Sequence, residues 1–174
     1  MPACRLIRPE DAPVLAHLAT VNRDFLAPWE PARAEAHFTE TGQRLAIQAV
    51  LAEYAHGRSL PGVIVDESDE VVGRINLNHI VRGASQSASL GYWLNQASGG
   101  RGLATAAVRE ITRLAFAELG LHRIQADTLV DNVRSQRVLS RTGFVRMGLA
   151  PSYLKIAGRW QDCILYQLVN DAAT

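Results

Sequence analysis

Residues 96–105 read QASGGRGLAT, and this stretch has the residue types to hold a phosphate. Glycine loses more conformational freedom on ordering than any other residue, so a cluster of three in one short loop needs a reason. A strand that runs into a glycine-rich turn and then a helix forms a phosphate cradle. The helix start offers unpaired backbone N–H groups and the positive end of a dipole, and glycine lets an anion approach the backbone. Arg101 could add charge at the rim. A plain tight turn accounts for the glycines equally well. Two nucleotide motifs are excluded: no Gly-Lys-Ser/Thr ending is present for a Walker loop, and Thr105 stands where a Rossmann fingerprint needs its third glycine.

The elements that must position this loop can be read from periodicity. Residues 87–94, SASLGYWL, form a strand leading into it. From Leu103 to Leu119 apolar residues share one helical face, and Gly120 sits where a C-terminal cap belongs. RIQADTL, 123–129, alternates like a strand, and Asp131 or Asn132 can cap a second short helix ended by Gly143. Upstream, residues 3–8 predict a strand, followed by a helix with Val14, Leu15, Leu18 and Ala19 inward. FLAPWEP, 25–31, reads as a loop. Residues 32–56 predict a helix broken near Thr41-Gly42, with Leu45, Ala49 and Ala52 as its buried stripe. PGVIVDESDEVVGRINLNHI, 61–80, is a hairpin. Two last strands, about 144–154 and 160–169, are joined by Ile156-Ala157-Gly158. The order β-α-α-β-β-β-α-β-α-β-β describes one mixed α/β domain over residues 1–174.

Composition sets the outer limits. A chain of 174 residues suits one domain with a proper core. A formal net charge of +1 with mixed signs gives no argument for nucleic-acid binding. Cys4 and Cys163 lack metal-ligand spacing, so no metal site is expected, and both read as buried small hydrophobes in a reducing compartment. MPACRLIRPED carries charges where a signal peptide needs an apolar stretch, and no apolar run reaches the length of a membrane span. A cytoplasmic protein without membrane contact is expected.

The segment from Gly91 to Phe144, GYWLNQASGGRGLATAAV and then LHRIQADTLVDNVRSQRVLSRTGF, resembles the GNAT superfamily of acetyl-CoA-dependent N-acetyltransferases. Gly100, Arg101 and Gly102 match the last three positions of the loop with which that superfamily holds the coenzyme A pyrophosphate. Ala97 stands where Gln or Arg is usual. GYWL, Asn132-x-x-Ser135, RVL-x-x-x-GF and YLKIAGRWQD are similar to the RimJ/RimL subgroup of ribosomal-protein N-terminal acetyltransferases, and VVGRINLNHIVRGASQSASLGYWL looks most like its RimJ branch. The likeness covers nearly the whole chain.

The resemblance implies the GNAT fold, a central splayed mixed β-sheet flanked by helices, with acetyl-CoA in a gap between strands 88–94 and 123–129. Cofactor contacts would come from Trp93, Leu94 and Asn95 along the strand edge, from Gly99, Gly100, Arg101, Gly102, Leu103, Ala104 and Thr105 at the pyrophosphate, and from Asn132. Backbone N–H groups near Tyr92 and Trp93 would face the oxyanion. The tyrosine that many family members use to protonate the thiolate corresponds to Leu139, so the resemblance shifts that role to Ser135, with Asn132 fixing the coenzyme or a water. A hairpin glutamate of RimL corresponds to Leu154, which leaves the base to His79 or to water. Phe25, Trp29, Asn76, Asn78, Tyr92, Tyr153 and Trp160 are expected to line the acceptor side. Arg74, Arg82 and Arg159 could face an acidic partner, although exposed arginines that do nothing specific are commoner. The implied acceptor is the N-terminal α-amine of a protein, with a ribosomal protein beginning in Ala, Ser or Thr as a candidate. A small amine such as an antibiotic or polyamine, or a non-catalytic coenzyme A sensor, are the rivals. A homodimer is an option because dimers occur in the family.

Overall fold

A computed structural model describes residues 3–170. Seven strands form one sheet in the order β1-β2-β3-β4-β5-β7-β6. Cys4–Leu6 is β1. Leu60–Val65 (β2) and Val71–Val81 (β3) form the expected hairpin, and Ser87–Leu94 is β4. Arg123–Leu129 is β5, and Val145–Ile156 (β6) and Arg159–Val169 (β7) form the last hairpin. All neighbours pair antiparallel except β4 and β5.

Local chemistry fixes the turns. Asp66 closes the first hairpin by accepting from the N–H groups of Ser68 and Glu70, at 2.9 and 3.1 Å. Ala157 and Gly158 both have positive φ, 49° and 81°, the pair of left-handed residues that matches the twist of a tight hairpin.

Helices cover both faces of the sheet. Ala12–Val21 (α1) and Glu40–Ala55 (α3) pack on one face around Leu15, Ile47, Val63 and Val65. Leu103–Ala117 (α4) and Val133–Arg141 (α5) pack on the other, where Ala107, Ile111, Ile124 and Leu139 are buried. In α4 the buried positions Ala107, Val108, Ile111, Thr112 and Ala115 recur at helical spacing and make one stripe. A short helix, Arg23–Leu26 (α2), interrupts the predicted FLAPWEP loop.

One predicted stripe is wrong. Leu45, Ala49 and Ala52 face solvent, and Leu45 is 62% exposed. Helix α3 instead turns Gln43, Ile47, Val50 and Leu51 inward. Its alanine-rich sequence offers several near-equivalent stripes, and packing against α1 selects the one that buries Ile47. The predicted break falls at Thr39, whose side chain caps α3 by accepting from the Gly42 N–H at 3.1 Å.

Candidate active site

The site starts from a defect in the sheet. β4 and β5 pair only from Ser87↔Arg123 to Leu90↔Ala126. Beyond that point β4 runs on to Leu94 beside β3, and β5 runs on to Leu129 beside β7. The two strands therefore diverge into a wedge whose walls are unpaired strand edges. Such edges bind amide-bearing ligands as an added strand would. The Asn95 N–H donates to the Val72 carbonyl at 2.8 Å, and the Trp93 carbonyl lies against Gly73 of β3. Strand alternation then turns the backbone groups of Tyr92 and Leu94 into the wedge. This corrects two expectations: the backbones of Trp93 and Asn95 serve β3, and only Leu94 of the three offers its own to the gap.

The glycine loop lies at the wide end of the wedge. Gly100 and Gly102 both have φ of 80°, and a Cβ on either would meet nothing within 4 Å. Left-handed backbone, not crowding, demands glycine at these two positions. Gly102 is the N-cap of α4, and the first intrahelical bond runs from the Ala106 N–H to the Gly102 carbonyl. The N–H groups of Leu103, Ala104 and Thr105 have no intrahelical acceptor and point out of the helix start. Arg101 is 46% exposed and sits 3.9 Å from both Asp66 and Glu67, at the outer limit of an ion pair, where it remains available at the rim.

On the α4/α5 face of the wedge, Ser135 and Tyr92 meet. Asn132 caps α5, and its Oδ1 accepts from the Ser135 N–H at 3.1 Å. That cap fixes Ser135 in the first turn, with its Oγ 2.8 Å from the Tyr92 hydroxyl. Burial pushes the Tyr92 phenol up to about 12, with the Ser135 bond opposing the shift. Tyr92 thus stays protonated near neutrality and can donate to Ser135. This placement corrects the expectation of Tyr92 as an acceptor-side residue. It also commits the Asn132 oxygen to holding Ser135. Thr128, on the same face of β5, has a buried hydroxyl without a partner among the described residues. Leu139, the position that the resemblance matched to a tyrosine, is fully buried.

The opposite face carries most of the residues expected on the acceptor side. A cavity of about 50 Å³ at the vertex is lined by Ser89, Gln125, Asp127, Met147, Tyr153 and Tyr166. That volume holds a water molecule with room to spare. A bulge in β6 between Ala150 and Leu154 presents Tyr153 there, and Asp162 steadies the bulge by accepting from the Ser152 N–H at 2.8 Å. Asp127 makes no hydrogen bond or ion pair among the described residues. Although the residue is open to solvent on one side, surrounding protein desolvates its carboxyl and raises its pKa. Asp127 was missed in the sequence because it is one acid within an alternating strand. Only the parting of the strands gives it meaning.

The remaining expected residues divide by position. Asn76 pairs with Gly91 and Asn78 with Ser89, both on the acceptor face. Phe25, in α2, has the Arg134 guanidinium of α5 5.9 Å from its ring centroid. Trp29 precedes Glu30, whose carbonyl accepts from Ala157 at the hairpin tip, so the α2 loop and the β6–β7 hairpin touch. Trp160, at that hairpin, is 64% exposed. His79 is not at the wedge. It is exposed, lies in a bulged stretch of β3 with φ of 50°, and borders a separate hollow with Val50, Glu53 and Arg58. Cys4 and Cys163 are buried as expected. No group that could hold a metal ion occurs among the described residues, and none of their helices is long and apolar enough to cross a membrane.

Comparison with known proteins adds independent findings. The family model described as an acetyltransferase (GNAT) domain matches residues 4–145. The [ribosomal protein uS5]-alanine N-acetyltransferase of Escherichia coli (strain K12) is 34% identical over 167 residues, 95% of this chain and 86% of that protein. The solved ribosomal-protein-S5-alanine acetyltransferase of Vibrio fischeri superposes with a TM-score of 0.93 at 34% identity, covering 98% of this chain and 94% of that one. Mycobacterium smegmatis RimJ, solved in complex with CoA-disulfide, gives a TM-score of 0.93 at 32% identity, covering 98% and 85%.

Proposed function

Because the chain belongs to the GNAT acetyltransferase family, we propose that it transfers the acetyl group of acetyl-CoA to the N-terminal α-amine of a protein. The Escherichia coli and Vibrio fischeri relatives are named for the alanine of ribosomal protein S5, which favours a ribosomal acceptor and a cytoplasmic setting. The observation that carries this reading is the wedge, with Ser135 and Tyr92 on one face and the Asp127 cavity on the other.

The residues present fit the coenzyme. The open α4 start and the left-handed Gly100 and Gly102 suit a pyrophosphate. The Leu94 edge and the orphaned Thr128 hydroxyl suit the amides of a pantetheine arm. When bound, acetyl-CoA supplies an activated thioester whose leaving group is a thiolate.

The chain's own groups then divide the work. The neutral fraction of the acceptor amine attacks, and Asp127, directly or through a water in its cavity, takes the proton released as the new bond forms. Its raised pKa makes it a better base than an ordinary carboxylate. The wedge-facing N–H of Tyr92 is aimed where negative charge develops on an acyl oxygen. Ser135 would hydrogen-bond the leaving sulfur and pass it a proton, with the Tyr92 hydroxyl 2.8 Å away holding the Ser135 oxygen while solvent restores the proton. Asn132 acts as a positioning residue through its cap on α5.

The test follows thiol release from acetyl-CoA with peptides beginning in Ala, Ser or Thr and with small amines. Turnover of peptides with free N-termini, abolished by N-terminal blocking, is the expected result. Turnover confined to small amines, or coenzyme binding without turnover on any acceptor, overturns the reading.

A further inference from the structure

The acceptor face of β3 carries two polar side chains with unmet demands. Arg74 pairs across the sheet with Val63 and with Trp93, both in the apolar cluster under α1 and α3. Its Nε is shielded from water without an acceptor, and the guanidinium makes no hydrogen bond or ion pair among the described residues. After desolvation, another cation, Arg33, further disfavours its charge, and Glu30 is occupied by Arg33 at 3.0 Å. His37 also feels both arginines. Arg74 is half-buried, and arginine does not discharge in proteins, so a guanidinium held there with a shielded, unpartnered Nε calls for an explanation.

Two residues along, on the same face, the Asn76 Oδ1 is likewise buried without a donor. Asn76 lies opposite Gly91, next to the wedge vertex. A Cβ on Gly91 would meet only the Asn78 amide, at 3.8 Å, so the floor beside Asn76 is open. Two strand residues on one face stand roughly 6.6 Å apart, which is also the two-residue repeat of an extended peptide. Asn76 needs a donor near the reacting amine, and Arg74 needs an anion one such repeat farther out.

We propose that Arg74 and Asn76 form an acceptor-reading subsite that selects N-termini with a carboxylate side chain at the second or third residue. Asn76 accepts from an N–H near the reacting end, and Arg74 takes the carboxylate. This rests on the peptide reading of the acceptor given above.

The experiment compares, on the wild-type protein, peptides Ala-Asp-Ala and Ala-Ala-Asp with their Asn isosteres, together with a carboxylate-bearing small amine and its amide. At least one Asp peptide is expected to show a KM about tenfold or more below its Asn counterpart, with kcat within about threefold. R74Q removes that preference, and R74K keeps part of it. Equal turnover of Asp and Asn peptides overturns the subsite while leaving the peptide reading intact. Turnover of the small carboxylate amine alone, in preference to its amide, supports the Arg74 site and overturns the peptide reading. The wild-type comparison decides the matter even if a variant fails to fold.

Discussion

Replacing Asp127 with Asn tests the wedge at its most exposed point. Two mechanisms predict different sizes of effect. If Asp127 only helps to strip a proton before attack, its value is limited by how much amine is already neutral. An α-amine with a pKa near 7.8 is about one-seventh neutral at pH 7, so the loss is at most about sevenfold and disappears by about pH 9. If Asp127 takes the proton during bond formation, the loss is about 100-fold to 10,000-fold and persists at high pH. The cavity beside Asp127, sized for a bridging water, favours the second. We expect D127N to lower kcat/KM by at least about 100-fold at pH 7, with the KM for acetyl-CoA unchanged. Folding gives an internal control. The folded carboxyl binds its proton more tightly than the unfolded one, so its charge costs stability once pH rises above the unfolded value of about 3.9. D127N should therefore melt higher than wild type at pH 7, and the difference should vanish as pH falls below about 4. A D127N protein with kcat/KM within twofold of wild type at pH 7 would refute the assignment.

Three further expectations follow from particular contacts. S135A should lower kcat by about 100-fold under saturating substrates, whereas Y92F removes only the hydroxyl that holds the Ser135 oxygen from 2.8 Å away and should cost about two- to tenfold; steady-state kinetics on both variants checks the order. G102A puts a side chain at φ of 80°, a penalty of about 1–2 kcal/mol. If the loop relaxes to escape it, the Kd for coenzyme A by calorimetry should rise about tenfold or more. In α3, I47A should cost about 2–5 kcal/mol in urea unfolding because Ile47 is fully buried, while L45A should stay within about 0.5 kcal/mol.

The sequence by itself settled what is local. The strand 87–94, the strand 123–129, a cap at Asp131 or Asn132 and the hairpin around Asp66 all follow from period, turn chemistry and capping groups within a few residues. The glycine loop was legible for the same reason, because a left-handed N-cap leaves its mark at one position, Gly102. Tertiary structure alone decided what depends on strands parting and on faces. Neither the unpaired edges beyond Leu90 and Ala126, nor the meeting of Tyr92 with Ser135 forty-three positions away, has a local signature. The same holds for Asp127, an ordinary acid in an alternating strand until β4 leaves its side, and for Ile47, chosen over Leu45 only by the helix it packs against. Chemistry carried by backbone conformation is written along the chain, whereas chemistry carried by a gap between neighbours exists only once those neighbours are assembled.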